Sequence, residues 1–251
     1  MAGRTFKTEA VVLRSLRFGE ADRVLHLYTL ARGRIGAMAK GVRKTRSRFG
    51  GRLEPLSHVE LVLHQGSGEL ATVTGADLVH PHAAVREDPH RLGIGLVGAE
   101  AMLRLFHEQE ASPRAFQALT RFLDLLDDGP TGATGRSQLD PLGLSFQLKL
   151  LWLSGYLPHL GSCAECGGEG PFIGYSARAG GAVCWTCAGS GGVLSLSATA
   201  LSGMEGLLRT PLAGAGEVPL GERAAREVLA VVTSSYEYHG GFRLRTVAAR
   251  G

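Results

Sequence analysis

The hydrophobic pattern of this chain changes period near residue 80, and that change limits what each part can become. Before it, apolar residues come in short runs parted by glycine turns. Residues 9–16 carry a β-branched run. Residues 22–29 alternate, with Val24, His26 and Tyr28 on one side and Leu25, Leu27 and Thr29 on the other. Ala31-Arg32-Gly33 turns into residues 34–40, and Gly66-Ser67-Gly68 joins an alternating run at 57–65 to another at 69–78. Five short strands with glycine turns predict a small barrel over residues 1–80. An OB-fold fits, and an SH3-like barrel fits nearly as well.

Beyond the change, Asp88-Pro89, Ser112-Pro113 and Asp140-Pro141 each pair an N-cap residue with a proline, and each opens an apolar helix. The second helix places Phe116, Leu119, Phe122, Leu123 and Leu126 at three- and four-residue steps. The third, residues 142–153, is apolar nearly all round and should be buried. Two more helices are expected at 197–208 and 223–238, linked by residues 211–219. Residues 158–192 show neither period and are rich in Gly and Cys. The expected organisation is therefore α+β and multidomain: a barrel over 1–80, a helical domain in two parts (81–157 and 193–251), and an insertion at 158–192.

The insertion holds Cys163-x-x-Cys166 and Cys184-x-x-Cys187, a spacing suited to a zinc ribbon or knuckle. Each pair can hook one side of a tetrahedral ion. Four thiolates leave no open position, so such a metal is structural. A redox dithiol pair or an iron–sulfur cluster is the alternative. A metal would replace a hydrophobic core that about 35 residues cannot build.

Net charge is +4, but residues 1–80 hold 13 Lys and Arg against 7 Asp and Glu, and the remainder holds 14 against 16. The excess lies in residues 32–52, with Arg32, Arg34, Lys40, Arg43, Lys44, Arg46, Arg48 and Arg52 and no acidic residue. Like charges this dense repel one another, and a polyanion relieves the repulsion by releasing its own counterions. The run would fill the third strand and the connection to the fourth. Phe49, among the charges, is the better candidate for stacking on bases; Tyr28 is equally a core residue.

Other motifs fail on context. Gly93-x-Gly95-x-x-Gly98 follows no strand, so its glycines more simply let helices approach closely. Gly36 to Gly41 has phosphate-loop spacing, but Val42-Arg43 stands where Lys and Ser/Thr are needed. His58-Val-Glu60 lacks the deaminase context. His80, His82 and His90 flank the junction and are open to ligand, capping or solvent roles. No nucleophile–base constellation is present, so catalysis is not expected. No stretch reaches the ~20 apolar residues of a membrane span, and the first residues lack a signal peptide's apolar core, so a cytoplasmic protein with reduced thiols is expected.

Several stretches resemble the RecO family of bacterial recombination mediators: residues 9–13 (Glu-Ala-Val-Val-Leu), Gly19-Glu20-Ala21-Asp22, Ala39-Lys40-Gly41-Val42-Arg43, and Leu53-x-Pro55-Leu56. Gly155-Tyr156-x-Pro158-x-Leu160-x-x-Cys163-x-x-Cys166 resembles the entry to that family's zinc knob, and Tyr236-x-x-His239-Gly240 its closing helix. Arg245-Thr246 departs from the Lys-Ser usual there. The resemblance implies an OB-fold, a helical bundle and a zinc module. It implies binding of single- and double-stranded DNA, annealing of complementary strands, and partnership with RecR and single-strand-binding protein on the nucleoid. It also implies a pocket for that protein's acidic tail near Arg121. An RNA-binding translation or ribosome factor with a basic barrel is the other reading of the charges, and a zinc enzyme a third.

Overall fold

The computed structural model describes residues 3–44, 47, 49–129 and 135–248. Contacts divide them into two compact units, one up to Gly129 and one beyond it.

The first unit starts with five strands: β1 (Arg4–Phe18), β2 (Asp22–Thr29), β3 (Gly33–Ala39), β4 (His58–Gln65) and β5 (Ala71–His80). They close into a barrel in the order β1-β2-β3-β5-β4. Strand β1 closes it, because its 15 residues pair with β4 in the first half and with β2 in the second. A register shift between Val12 and Arg14 supplies the bend that such closure needs. Strands β3 and β5 pair in parallel, through Ala37↔Ala71 and Met38↔Thr72, and the sheet is that of the OB-fold. The alternation in β2 settles as its pattern requires. Leu25 and Leu27 enter the barrel core with Ala10, Val12, Ala37, Val59, Leu61 and Val73, while Val24, His26 and Tyr28 face outward.

Three helices belong to the same unit: α1 (Ala83–Glu87), α2 (Pro89–Leu105) and α3 (Pro113–Asp128). Asp88 Oδ1 accepts from the amides of His90 and Arg91 at 2.8 and 3.1 Å, and Ser112 Oγ accepts from Ala115 at 3.3 Å. Each cap satisfies donors that a first helical turn leaves open, and each proline sits where no amide is missed. The expected close approach is present at Gly95. A Cβ there would meet Leu56 Cδ1 at 2.8 Å and Val85 Cγ1 at 3.3 Å, so a larger residue would make those side chains shift.

The second unit is built on α4 (Pro141–Leu153), capped by Asp140 and buried on most sides through Leu144, Phe146, Leu148, Leu150 and Leu151. Around it lie a three-stranded sheet of β6 (Phe172–Ser176), β7 (Gly181–Cys184) and β8 (Leu194–Ser195), then α5 (Ala198–Arg209) and α6 (Glu222–Gly240). The Cys-rich segment is not held by its cysteines alone. Tyr175 and Val183 are buried, and the Tyr175 hydroxyl lies 2.7 Å from Ser235 Oγ on α6. Lys149 Nζ donates to the carbonyls of Leu207, Leu208 and Thr210 at 2.9–3.1 Å and closes the end of α5.

Candidate nucleic-acid interface and metal centre

Strand β3 separates the cations that stand together in the sequence. It is 7 residues long, so its ends are about 20 Å apart. Lys40, Arg43 and Lys44 are exposed at one end. Arg43 donates to the Glu20 carbonyl at 2.9 Å through its side chain and to the Ala21 carbonyl at 2.9 Å through its amide. The Gly41 amide donates to Asp22 Oδ1 at 2.7 Å. These bonds dock the 40–44 turn on the β1–β2 hairpin. At the other end, the Arg32 guanidinium lies 3.6 Å from the centre of the Phe6 ring. Arg34 donates to the Leu103 carbonyl at 2.7 Å and pairs with Glu108 at 3.4 Å, so it pins the α2–α3 corner to the barrel. Arg52 is half-buried and donates to the Phe49 carbonyl at 3.2 Å. Arg46 and Arg48 lie outside the described residues.

Phe49 requires a correction. It is 2% exposed and belongs to the barrel core with Leu53, Leu61 and Val73. A ring packed on all sides offers no face to a base. It plugs the barrel beneath the β3–β4 connection, and the charges around it mark only where the chain crosses the rim. Tyr28 is buried as well, with its ring edge-on to Phe106 at 5.5 Å. Burial pushes its phenol up to about 12.

The hairpin docked on the 40–44 turn supplies what the charge count overlooked. Arg17 stands opposite Arg23, which in turn stands opposite Ala39. Phe18 stands opposite Asp22 and is 56% exposed. Arg14 is exposed two strand positions before Leu16. None of these is close to residues 40–44 in sequence. Only strand register brings them to one end.

The four cysteines do converge. One sulfur from each of Cys163, Cys166, Cys184 and Cys187 lies within 4.8 Å of the others. The sulfurs of Cys166 and Cys184 are 3.8 Å apart. Thiolates about 2.3 Å from a central ion in a tetrahedron are about 3.8 Å from one another, so the donor set fits a four-coordinate metal. The separation is far from the ~2 Å of a disulfide. The Cys184 amide points at Cys163 Sγ at 3.4 Å, and the Cys166 amide adds to it. Together they draw the Cys163 thiol down to about 6. Gly167, at φ +73°, allows the first knuckle to turn, and its amide donates to the Cys163 carbonyl at 2.8 Å.

Comparison with known proteins agrees with both halves of the chain. The family described as Recombination protein O N terminal matches residues 1–82, and Recombination protein O C terminal matches residues 86–248. The chain belongs to the RecO family. Curated relatives named DNA repair protein RecO include one from Anaeromyxobacter sp. (strain K), 36% identical over 95% of this chain and 92% of the relative. Another, from Frankia casuarinae, is 38% identical over 93% of each. A third, from Rubrobacter xylanophilus, is 41% identical over 72% of this chain and 71% of its own. Membership places the chain in DNA repair and recombination.

As a RecO-family barrel, the first unit also uses a histidine that the sequence left open. His82 is fully buried with φ +44°. Its Nδ1 lies 2.7 Å from the Leu56 carbonyl and its Nε2 2.9 Å from Asp124 Oδ1. It thus joins the loop before β4 to α3. The His80 ring lies tilted beside it, with ring centres 4.4 Å apart, and its Nδ1 accepts from the His82 amide. His80, His82 and Asp124 have metal-like proximity, but both His82 nitrogens already serve the fold. Among the described residues, no helix is long and apolar enough to cross a membrane.

Proposed function

We propose that this RecO-family chain works without a catalytic centre. It binds single- and double-stranded DNA at the basic end of its barrel, anneals complementary strands, and helps load a recombinase together with RecR and single-strand-binding protein. The observation that carries this reading is the exposed set Arg17, Lys40, Arg43 and Lys44, gathered from the β1–β2 hairpin and the turn after β3 onto one end. Annealing needs no bond-making. Two strands repel through their phosphates, and cations that neutralise both lower that barrier and raise local strand concentration. The metal in the cysteine cluster is read as one structural zinc, because four thiolates leave no position for a substrate. Residues 158–192 act as a stapled module under this reading.

The test is a salt titration of the full chain binding a labelled single strand, with an annealing assay beside it. Replacing Lys40, Arg43 and Lys44 together with Ala should weaken binding and slow annealing. It should also lower the slope of log affinity against log salt by about 2, since each lost phosphate contact removes about 0.7 for a single strand. An unchanged slope rejects the assignment.

A further inference from the structure

The outer face of β1–β3 is divided. At one end Tyr28 is covered by Phe106, and Arg34 is tied to the α2–α3 corner. At the other end the sheet lies open. Strand register puts Leu16, Val24 and Met38 in one row across that end, with Phe18 at its tip. Leu16 is 37% exposed, Phe18 56% and Leu70 40%. Leu70 comes from the β4–β5 turn and lies over Gly36. A Cβ on Gly36 would meet Leu70 Cδ2 at 2.5 Å, so the missing side chain lets that turn close onto β3. The result is a low apolar shelf about two strand spacings wide, roughly 10 Å.

Cations border the shelf. Arg14 comes from the same face of β1 and Lys40, Arg43 and Lys44 from the turn after β3, while Arg17 lies on the opposite face of β1, in line with Ala39 of the core. None of the five is in an ion pair with a described carboxylate. The acidic groups of these turns are Glu20, Asp22 and Glu69, and Asp22 is occupied by the Gly41 amide. An exposed phenylalanine beside apolar side chains suits a flat partner with an apolar face, and the cationic border requires that partner to carry anions. A single-stranded nucleic acid has both along its length, and its bases are free to stack. A duplex keeps its bases inside and could use only the border.

We propose that the open end of the outer β1–β3 face, centred on Phe18 with Leu16 and Leu70, is a base-stacking site for single-stranded nucleic acid. This rests on the nucleic-acid reading above and assigns to that site a preference for unpaired bases. Phe18 takes the role that the sequence pattern gave to Phe49.

The test uses the full chain with a labelled oligothymidylate and a duplex of the same length, each titrated with salt. Phe18→Ala should weaken single-strand binding about 5-fold or more, in line with the loss of one stacked base. Salt slope and duplex affinity should stay as in the wild type. Phe18→Trp should restore single-strand binding, and its added fluorescence should be quenched by the oligothymidylate. Phe18→Ala should melt as the wild type does, because that side chain is outside the barrel core. If Phe18→Ala binds the single strand like the wild type while the Lys40, Arg43 and Lys44 variant loses binding, the stacking site is wrong and the charge reading stands. Equal losses on single strand and duplex also overturn the stacking site. If the wild type binds neither probe at low salt, both readings fall.

Discussion

The cysteine cluster and the basic end of the barrel are assembled by opposite means. Each half of the cluster is made by four consecutive residues, and the Cys166 amide reaches the sulfur of Cys163 within its own half, while the Cys184 amide meets that sulfur from the other half. The basic end owes nothing to adjacency. Strand β3 carries Arg32 and Arg34 away from Lys40, and the β1–β2 hairpin brings Arg17 and Phe18 toward it. A point site specified by spacing survives in a linear sequence. A surface specified by register does not, because a strand moves each charge about 3.3 Å per residue and turns every second one inward.

Removing a cysteine would break that contrast most forcefully. Cys184→Ser should abolish stoichiometric metal binding and lower stability strongly, since loss of a structural metal is among the few single changes that cost about 4 kcal/mol or more. Helices α4, α5 and α6 should persist, since Tyr175 and Lys149 hold them by contacts that need no metal. Metal content by atomic emission and melting by circular dichroism check this together. A metal-free variant that melts like the wild type would show that packing alone holds the module.

Core and surface in the barrel are separated by a second substitution. Phe49→Ala should cost about 3–5 kcal/mol, as large-to-small changes in packed cores do, and leave the salt slope of nucleic-acid binding unchanged. Lys40, Arg43 and Lys44 should behave in the reverse way. A Phe49→Ala protein of wild-type stability with impaired binding would restore the stacking role that its burial removes.

The same two residue types show how much could be read in advance. The N-caps Asp88, Ser112 and Asp140 all hold their helices, because a cap and a following proline act within four residues. The five strands and the convergence of the four cysteines were legible for the same reason. Arg34 was not, because its use depends on a carbonyl 69 residues away. Phe49 was misjudged because its neighbours are charged, although a side chain's burial depends on where the backbone crosses the rim. Phe18 had one available signal: an aromatic residue between Arg17 and the Gly19 turn, at the tip of a hairpin.

The smallest effect concerns another contact made only by register. Pairing of β1 with β4 sets His58 opposite Val11, and its Nε2 lies 2.9 Å from Glu9 Oε2. Its ring also meets Phe116 of α3 edge-on at 5.6 Å. Burial there holds the imidazole below its ordinary 6.5, although Glu9 pulls the other way. The folded barrel therefore favours neutral His58. Its contribution is complete above 6.5, the unfolded value, and fades as pH falls through 6.5 toward the lower folded value, because the unfolded chain binds the extra proton first. Melting the wild type and His58→Gln at pH 7.5 and again at pH 5.5 isolates this term from every other titrating group. The wild type should lose more stability between the two than the variant does. Equal losses would mean that Glu9 and burial cancel, and a smaller loss in the wild type would mean that Glu9 outweighs burial, so that the β1–β4 seam is held by the ion pair rather than by packing against Phe116.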